Sequence, residues 1–194
     1  MNVAGLSQGP VTKSHLTERG REQSAKLAEK LRDTKIDLAF ISSADRTRQT
    51  AEIILTYHPD AKINFSSQLL EKNPGKFAGR PTHELREAWR ASDLPFGEFQ
   101  PEGGESWYQA GRRVVDFIEK LIKKYKGSDS TILIVGHGGV LTYLFMWSDK
   151  FDPRTDSKEK YDHYHVDNTA VSVIEVDHNG QPILASINDT SHLD

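Results

Sequence analysis

The sequence predicts a three-layer α/β domain: a mostly parallel sheet with helices on both faces and a terminal hairpin closing one side. Three observations predict it. Residues 131–135, T-I-L-I-V, form a short, β-branched, almost wholly apolar run, which is how a strand covered on both faces reads. That run passes through Gly136, His137, Gly138 and Gly139 into V-L-T-Y-L, spaced like the start of a helix. A second apolar run, L-A-F-I at 38–41, is also followed by a helical pattern, and strands alternating with helices imply parallel pairing.

Taken in order, residues 1–16 are turn-rich, with Gly5, Gly9 and Pro10, and carry no hydrophobic period. Such a stretch is an odd opening for an α/β domain, which usually starts on a buried strand. Thr17 suits the N-cap of a helix running to about Asp33, with Leu27, Ala28 and Leu31 inward. Gly20 in that helix marks close packing or approach to a ligand. Ser42-Ser43 end the 38–41 strand, and residues 45–57 read as a helix turning Thr50, Ile53, Ile54 and Tyr57 inward. Ile63-Asn64-Phe65 is a further short strand. Proline and glycine recur through 66–103, where one short helix over 82–90 is expected. The longest helix spans 105–125, with Trp107, Ala110, Val114, Phe117, Ile118, Leu121, Ile122 and Tyr125 at three- and four-residue spacing. Lysines gather near its end, as the helix dipole favours. Residues 148–167 form a charged, irregular connection. Residues 170–176 and 183–187 alternate and are joined through Asn179-Gly180, a strong hairpin signal. With no repeat and no linker, residues 1–194 read as a single domain.

Composition narrows the function classes. A chain of 194 residues fits one domain with a real core. Its 27% charged residues and mean hydropathy of -0.60 describe a soluble globular protein. A net charge of -3 gives no reason to expect nucleic acid or an anionic membrane as partner. With no cysteine, disulfides, thiolate metal sites and cysteine nucleophiles are excluded. No apolar run approaches the roughly 18 residues that span a bilayer. The stretch M-N-V-A-G-L-S-Q-G-P lacks the basic and apolar regions of a secretion signal. The cytoplasm is the expected location.

Three strand-to-helix junctions share one sheet edge if the strands are parallel, and open α/β sheets bind ligands there. His137 follows the 131–135 strand, Arg46 and Arg48 follow 38–41, and residues 5–17 lead into the first helix. A guanidinium takes two phosphate oxygens at once, and helix-start amides take others. Glu71, after Leu69-Leu70, can bring a proton donor to the same edge. Of the two arginines, Arg48 is expected at the surface or as a support behind the site, not on the phosphate. His163 and His165, in Y-D-H-Y-H, lack a carboxylate at convincing spacing and are expected as solvated loop residues rather than metal ligands. The match of Gly5–Gly9 to G-x-S-x-G fails on context, because Ser7 has no strand before it and Pro10 lies where the helix should start.

These segments together resemble the histidine phosphatase superfamily, the phosphoglycerate-mutase-like proteins, along nearly the whole chain. N-V-A-G-L-S-Q-G with H-L-T-E-R-G-R-E-Q looks like the loop and first helix after the family's nucleophile. S-S-A-D-R-T-R-Q-T-A-E-I is similar to its second-arginine segment, L-L-E-K-N-P-G-K-F-A-G to its acidic loop, and P-E-G-G-E-S to its substrate-side loop. G-H-G-G-V resembles the segment of its second catalytic histidine. The resemblance implies a phosphatase acting on small phosphorylated metabolites through a phosphohistidine, with no cofactor and no metal. It assigns phosphoryl binding to Arg46, charge stabilisation and orientation to His137, and proton transfer to Glu71. Asn2, Ser7, Gln8, Gly9 and Gly138 would line the phosphate pocket. A strict mutase is expected less, because the Lys72–Gly75 loop differs from that of the cofactor-dependent mutases.

One family feature has no counterpart here: the opening strand ending in Arg-His-Gly, whose histidine becomes phosphorylated. The resemblance therefore implies that the chain starts just downstream of its nucleophile. A truncated reading of a longer enzyme is expected over a nucleophile-free relative, since losing a central strand leaves both neighbours with unpaired ladder groups. The chain as given is expected to turn over poorly or not at all, because loss of a nucleophile costs on the order of 10⁶ in rate.

Overall fold

A computed structural model of the chain describes residues 5–9, 14–154 and 162–194. Its first helix, α1 (Glu18–Leu31), starts where the sequence places its cap: the Thr17 hydroxyl accepts the Gly20 N–H at 3.1 Å. Strand β1 (Leu38–Ser42) is buried throughout and lies between β2 (Lys62–Ser66) and β3 (Ile132–Val135), parallel to both. Alternate β1 side chains point to opposite faces, and each face has its own core. Leu38 and Phe40 join a cluster with α4 (Trp107–Tyr125) and α5 (Gly138–Ser148). Ala39 and Ile41 pack towards Ala51 of α2 (Asp45–Ile54). Helices thus cover both faces, as expected for three layers.

Local chemistry sets several boundaries. Ser106 and Gln109 form a reciprocal capping box, so α4 begins at Trp107, two residues after the position read from periodicity. Helix α3 (Thr82–Arg90) has the expected bounds. At Gly111 a Cβ would come 2.1 Å from the Tyr143 ring, so glycine lets α4 approach α5. The hairpin of β4 (Val171–Val176) and β5 (Pro182–Asp189) closes through Asp177, whose carboxylate accepts the amides of Asn179 and Gln181. No helix among the described residues is long and apolar enough to cross a membrane.

Two expectations need correction. Helix α2 ends at Ile54, and a 3₁₀ turn, Leu55–Tyr57, rotates Tyr57 outward beneath the Arg32 guanidinium, 4.5 Å from its ring. The buried stripe of α2 is Thr47, Ala51 and Ile54. Strand β3, read as covered on both faces, buries only Val135 fully. The cause lies in the sheet, which is split into a three-stranded parallel part and the β4–β5 hairpin. Leu133 and Val171 nevertheless pack against one cluster of α1 and α2, and Ile132, Ile134 and Ile174 against the α4–α5 cluster. Strands β3 and β4 therefore belong to one layer, interrupted between them.

Candidate active site

The turn from β1 into α2 is locked by Thr47, whose hydroxyl lies 2.9 Å from the Ser42 carbonyl and 2.7 Å from that of Ala44. This places Arg46 in the first turn of α2, facing the carboxyl edge of the sheet. Its guanidinium donates to the Ser14 hydroxyl at 2.8 Å, the Gly9 carbonyl at 3.2 Å and Nδ1 of His137 at 3.0 Å. Burial lowers the pKa of Arg46, and the nearby Glu71 carboxylate works the other way.

His137 caps the start of α5 and is 7% exposed. A guanidinium has no acceptor atom, so Nδ1 accepts from Arg46 and Nε2 carries the ring proton. Nε2 then donates to the hydroxyl of the fully buried Ser42 at 2.8 Å. Burial first, then the Arg46 and Arg113 cations, lower the His137 pKa to about 3. The ring is neutral.

Glu71 arrives from the other side, after the fully buried anchor Leu69. Its Oε2 accepts the Gly139 N–H at the start of α5 at 3.0 Å, and Oε1 accepts its neighbour's amide, Lys72 N–H, at 2.9 Å. The positive end of the α5 dipole suits a carboxylate there. A Cβ at Gly139 would come 2.7 Å from Oε1, so this approach requires glycine. The indole of Trp107 donates to the Gly139 carbonyl at 2.9 Å.

A clamp holds the loop that carries Glu71. Arg113 on α4 donates to the carbonyls of Gln68 at 2.7 Å and Leu70 at 2.9 Å, and takes both Glu105 carboxylate oxygens at 2.9 Å. Glu105 in turn accepts the Asn73 N–H at 3.0 Å. Burial would raise the Glu105 pKa, but the Arg113 and Asn73 hydrogen bonds outweigh it and keep the carboxyl low.

The segment 5–9 is pinned to 79–82: Ser7 N–H donates to the Arg80 carbonyl, and Gly79 N–H to that of Ser7, both at 2.8 Å. Gly9 has φ +54° and no room for a side chain against Pro74, and its carbonyl meets Arg46. Ser7 is buried, with no hydrogen-bond partner for its hydroxyl among the described residues. Gln8 is half-buried on the same segment, and Gly138 opens α5 with open space where a Cβ would stand. Asn2 lies outside the described residues.

The structure therefore gathers Arg46, Glu71, His137, Gly9 and Gly138 at one sheet edge. Arg48 stands apart, its guanidinium 4.5 Å from the Phe65 ring. Sequence reasoning missed Ser14, Ser42, Trp107, Glu105 and Arg113 as parts of the site. Ser42 carried a signal, a hydroxyl where an apolar strand gives way to a helix. Ser14 carried none.

A guanidinium, a helix start and a carboxylate thus share one sheet edge, an arrangement able to hold an anion and to exchange a proton with it. Among known proteins, the model of the histidine phosphatase superfamily (branch 1) matches residues 1–190. The chain belongs to that superfamily, and a phosphatase assignment follows with it. A Schizosaccharomyces pombe protein named as a probable phosphatase is 28% identical over 198 residues, 100% of this chain and 90% of that one. The 2,3-bisphosphoglycerate-dependent phosphoglycerate mutase of Bartonella henselae is 30% identical over 139 residues, 68% of each chain. The solved structure of Bacillus stearothermophilus YhfR shares the fold, with a TM-score of 0.84 and 26% identity over 100% of this chain and 93% of that one.

Proposed function

We propose that this domain hydrolyses small phosphate monoesters in the cytoplasm through a phosphohistidine, and that the nucleophilic histidine sits on a strand between β3 and β4 that the described residues do not supply. The observation that carries the reading is the Arg46 guanidinium, which donates to Nδ1 of His137 at 3.0 Å and lies within the field of the Glu71 carboxylate. Catalysis of phosphoryl transfer rests on positioning and on positive charge around the equatorial oxygens. Arg46 supplies that charge, and amides at the start of α5 add to it. The neutral His137 orients the guanidinium rather than adding a charge of its own. Glu71 enters the cycle as the protonated acid and gives that proton to the leaving oxygen as the histidine nitrogen bonds to phosphorus, then recovers one from the water that releases phosphate. Ser7, Gln8, Gly9 and Gly138 line the phosphate site.

Support for the added strand comes from the interrupted layer. The facing edges of β3 and β4 pair with no described strand, although both strands rest on the same helices. An extended segment there would pair two open edges and end beside His137.

The test compares the 194-residue chain with one lengthened by an apolar strand ending in Arg-His-Gly, using an aryl phosphate and 3-phosphoglycerate. Expected are phosphate binding without turnover by the chain alone, and hydrolysis of the aryl ester by the longer form. Robust turnover by the 194-residue chain sinks the added-strand reading. Interconversion of phosphoglycerates without net phosphate release would make the protein a mutase, and phosphate binding with no turnover gained from the added strand would make it a phosphate-binding relative rather than an enzyme.

A further inference from the structure

A cavity of about 420 Å³ lies between the end of α4, the end of α5 and the turn of the β4–β5 hairpin, lined by Glu119, Ile122, Lys123, Lys126, Trp147 and Pro182 among others. It is remote from Arg46. The first residue of α4, Trp107, reaches the active site through the Gly139 carbonyl, whereas the last turns of that helix line the cavity. At a rise of about 1.5 Å per residue, roughly 20 Å of helix separates the two. The hairpin wall is fixed in place: Lys126 Nζ donates to the Asn179 carbonyl at 3.0 Å, and Gly180 N–H donates to the Asp177 carbonyl at 2.9 Å. Gly180 has φ +82°, and a Cβ there would come 3.4 Å from Cδ of Lys126, so the turn lies close along that side chain.

Trp147 gives the cavity its chemistry. The chain has three tryptophans. Trp89 meets the Phe96 ring at 5.1 Å and donates to the Leu94 carbonyl at 2.9 Å, while Trp107 meets the Tyr143 ring at 5.1 Å and donates to that of Gly139. Trp147 does neither: among the described residues no aromatic ring stacks on its indole and no acceptor takes its N–H. It is half-buried, resting on the α4–α5 core. Lys123 has no ion pair or hydrogen bond among the described residues, and Lys126 is held by a neutral carbonyl, so neither charge is compensated there. Glu119, the acidic residue of the lining, is engaged by Arg112 at 3.4 Å. Apolar walls from Trp147, Ile122 and Pro182 beside two ammonium groups suit a flat apolar body carrying one negative charge.

We propose that this cavity is a second binding site, which takes a small aromatic carboxylate with its ring against the Trp147 indole and its charge held by Lys123 and Lys126. No residue of the Arg46 site takes part, so the proposal stands apart from the phosphatase reading.

NMR titration of the isotope-labelled chain with benzoate, cyclohexanecarboxylate and benzyl alcohol tests it, read at the indole N–H of Trp147, which Trp147→Phe identifies by its loss. Benzoate should shift that resonance saturably. It should bind about five-fold tighter than cyclohexanecarboxylate, which lacks the aromatic ring, and about ten-fold tighter than benzyl alcohol, which lacks the charge. Lys123→Gln should weaken benzoate to the level of benzyl alcohol. Lys120→Gln, which removes an exposed lysine of α4 outside the cavity, should leave it unchanged. Saturating inorganic phosphate should leave benzoate in place. Equal affinity for the three ligands overturns the proposal, as does a Trp147 resonance that none of them moves. A loss on Lys120→Gln as large as on Lys123→Gln overturns it too. Displacement of benzoate by phosphate would put the ligand at Arg46 instead and would equally overturn the second site.

Discussion

Arg46 and His137 share a hydrogen bond of 3.0 Å from Nη2 to Nδ1, and that bond decides where the imidazole proton resides. With Nδ1 accepting, the proton sits on Nε2 and points to Ser42, away from the guanidinium. One cation serves the phosphoryl position, and the histidine keeps it aimed. A charged ring beside Arg46 would instead set two cations against each other inside the protein.

The protonation of His137 predicts a pH dependence of stability. Its folded pKa, about 3, lies below the ordinary value of 6.5, so the unfolded chain binds the extra proton first. The stabilisation is complete above pH 6.5 and is lost as pH falls towards 3. Between pH 7 and 5 the folded state should lose about 2 kcal/mol from this group. Urea unfolding at the two pH values checks it, with His137→Gln expected to remove most of the difference. A ring that titrates near 6.5 by NMR would refute the assigned proton position.

Ser42 is the acceptor on which that neutral ring depends. Ser42→Ala leaves a buried N–H without a partner, at a cost of about 1–3 kcal/mol. The β1 backbone is unaffected, because Thr47 bonds the Ser42 carbonyl rather than its hydroxyl. A chemical-denaturation midpoint equal to that of the parent would show that the Ser42–His137 contact contributes nothing.

How much of this was legible in the sequence follows from what each feature depends on. Strands at 38–41 and 131–135 announced themselves by apolar runs, and the hairpin by Asn179-Gly180, because these signals are local. Arg46, Glu71 and His137 could be placed on one edge because parallel topology alone brings junctions together. Tyr57 was misplaced because a 3₁₀ turn changes the angular step, which helical spacing does not register. The Arg113 clamp was invisible for a different reason: it joins α4 to carbonyls 45 and 43 residues away. No periodicity records such a pairing.

That clamp is itself testable. Arg113 and Glu105 are both largely shielded, with 19% and 28% of their side chains exposed, and they meet through two parallel hydrogen bonds. A double-mutant cycle with Arg113→Ala and Glu105→Ala should give a coupling of about 1–3 kcal/mol. Arg113→Lys keeps the charge but cannot hold Glu105, Gln68 and Leu70 together, so it should recover only part of the loss. Full recovery by lysine would mean that charge alone matters and that Glu71 is not positioned through this contact.

The paired glycines at the start of α5 separate helix propensity from the position of Glu71. A Cβ at Gly138 meets nothing within 4 Å, whereas one at Gly139 comes 2.7 Å from Oε1 and 3.2 Å from Cδ of Glu71. Gly138→Ala should therefore stabilise the protein by about 0.5–1 kcal/mol, through lower entropy of the unfolded chain and better helix propensity. Gly139→Ala brings the same gain but forces the carboxylate off the Gly139 N–H, a loss of about 1.5–3 kcal/mol for a hydrogen bond to a charged group. The net effect is destabilising, and it should vanish in a Glu71→Ala background, where no carboxylate remains to be displaced. Thermal unfolding of the four variants reads the difference directly. Equal stabilisation by the two single glycine substitutions would place the Glu71 carboxylate away from α5, and the proton-transfer role would then have no geometric basis.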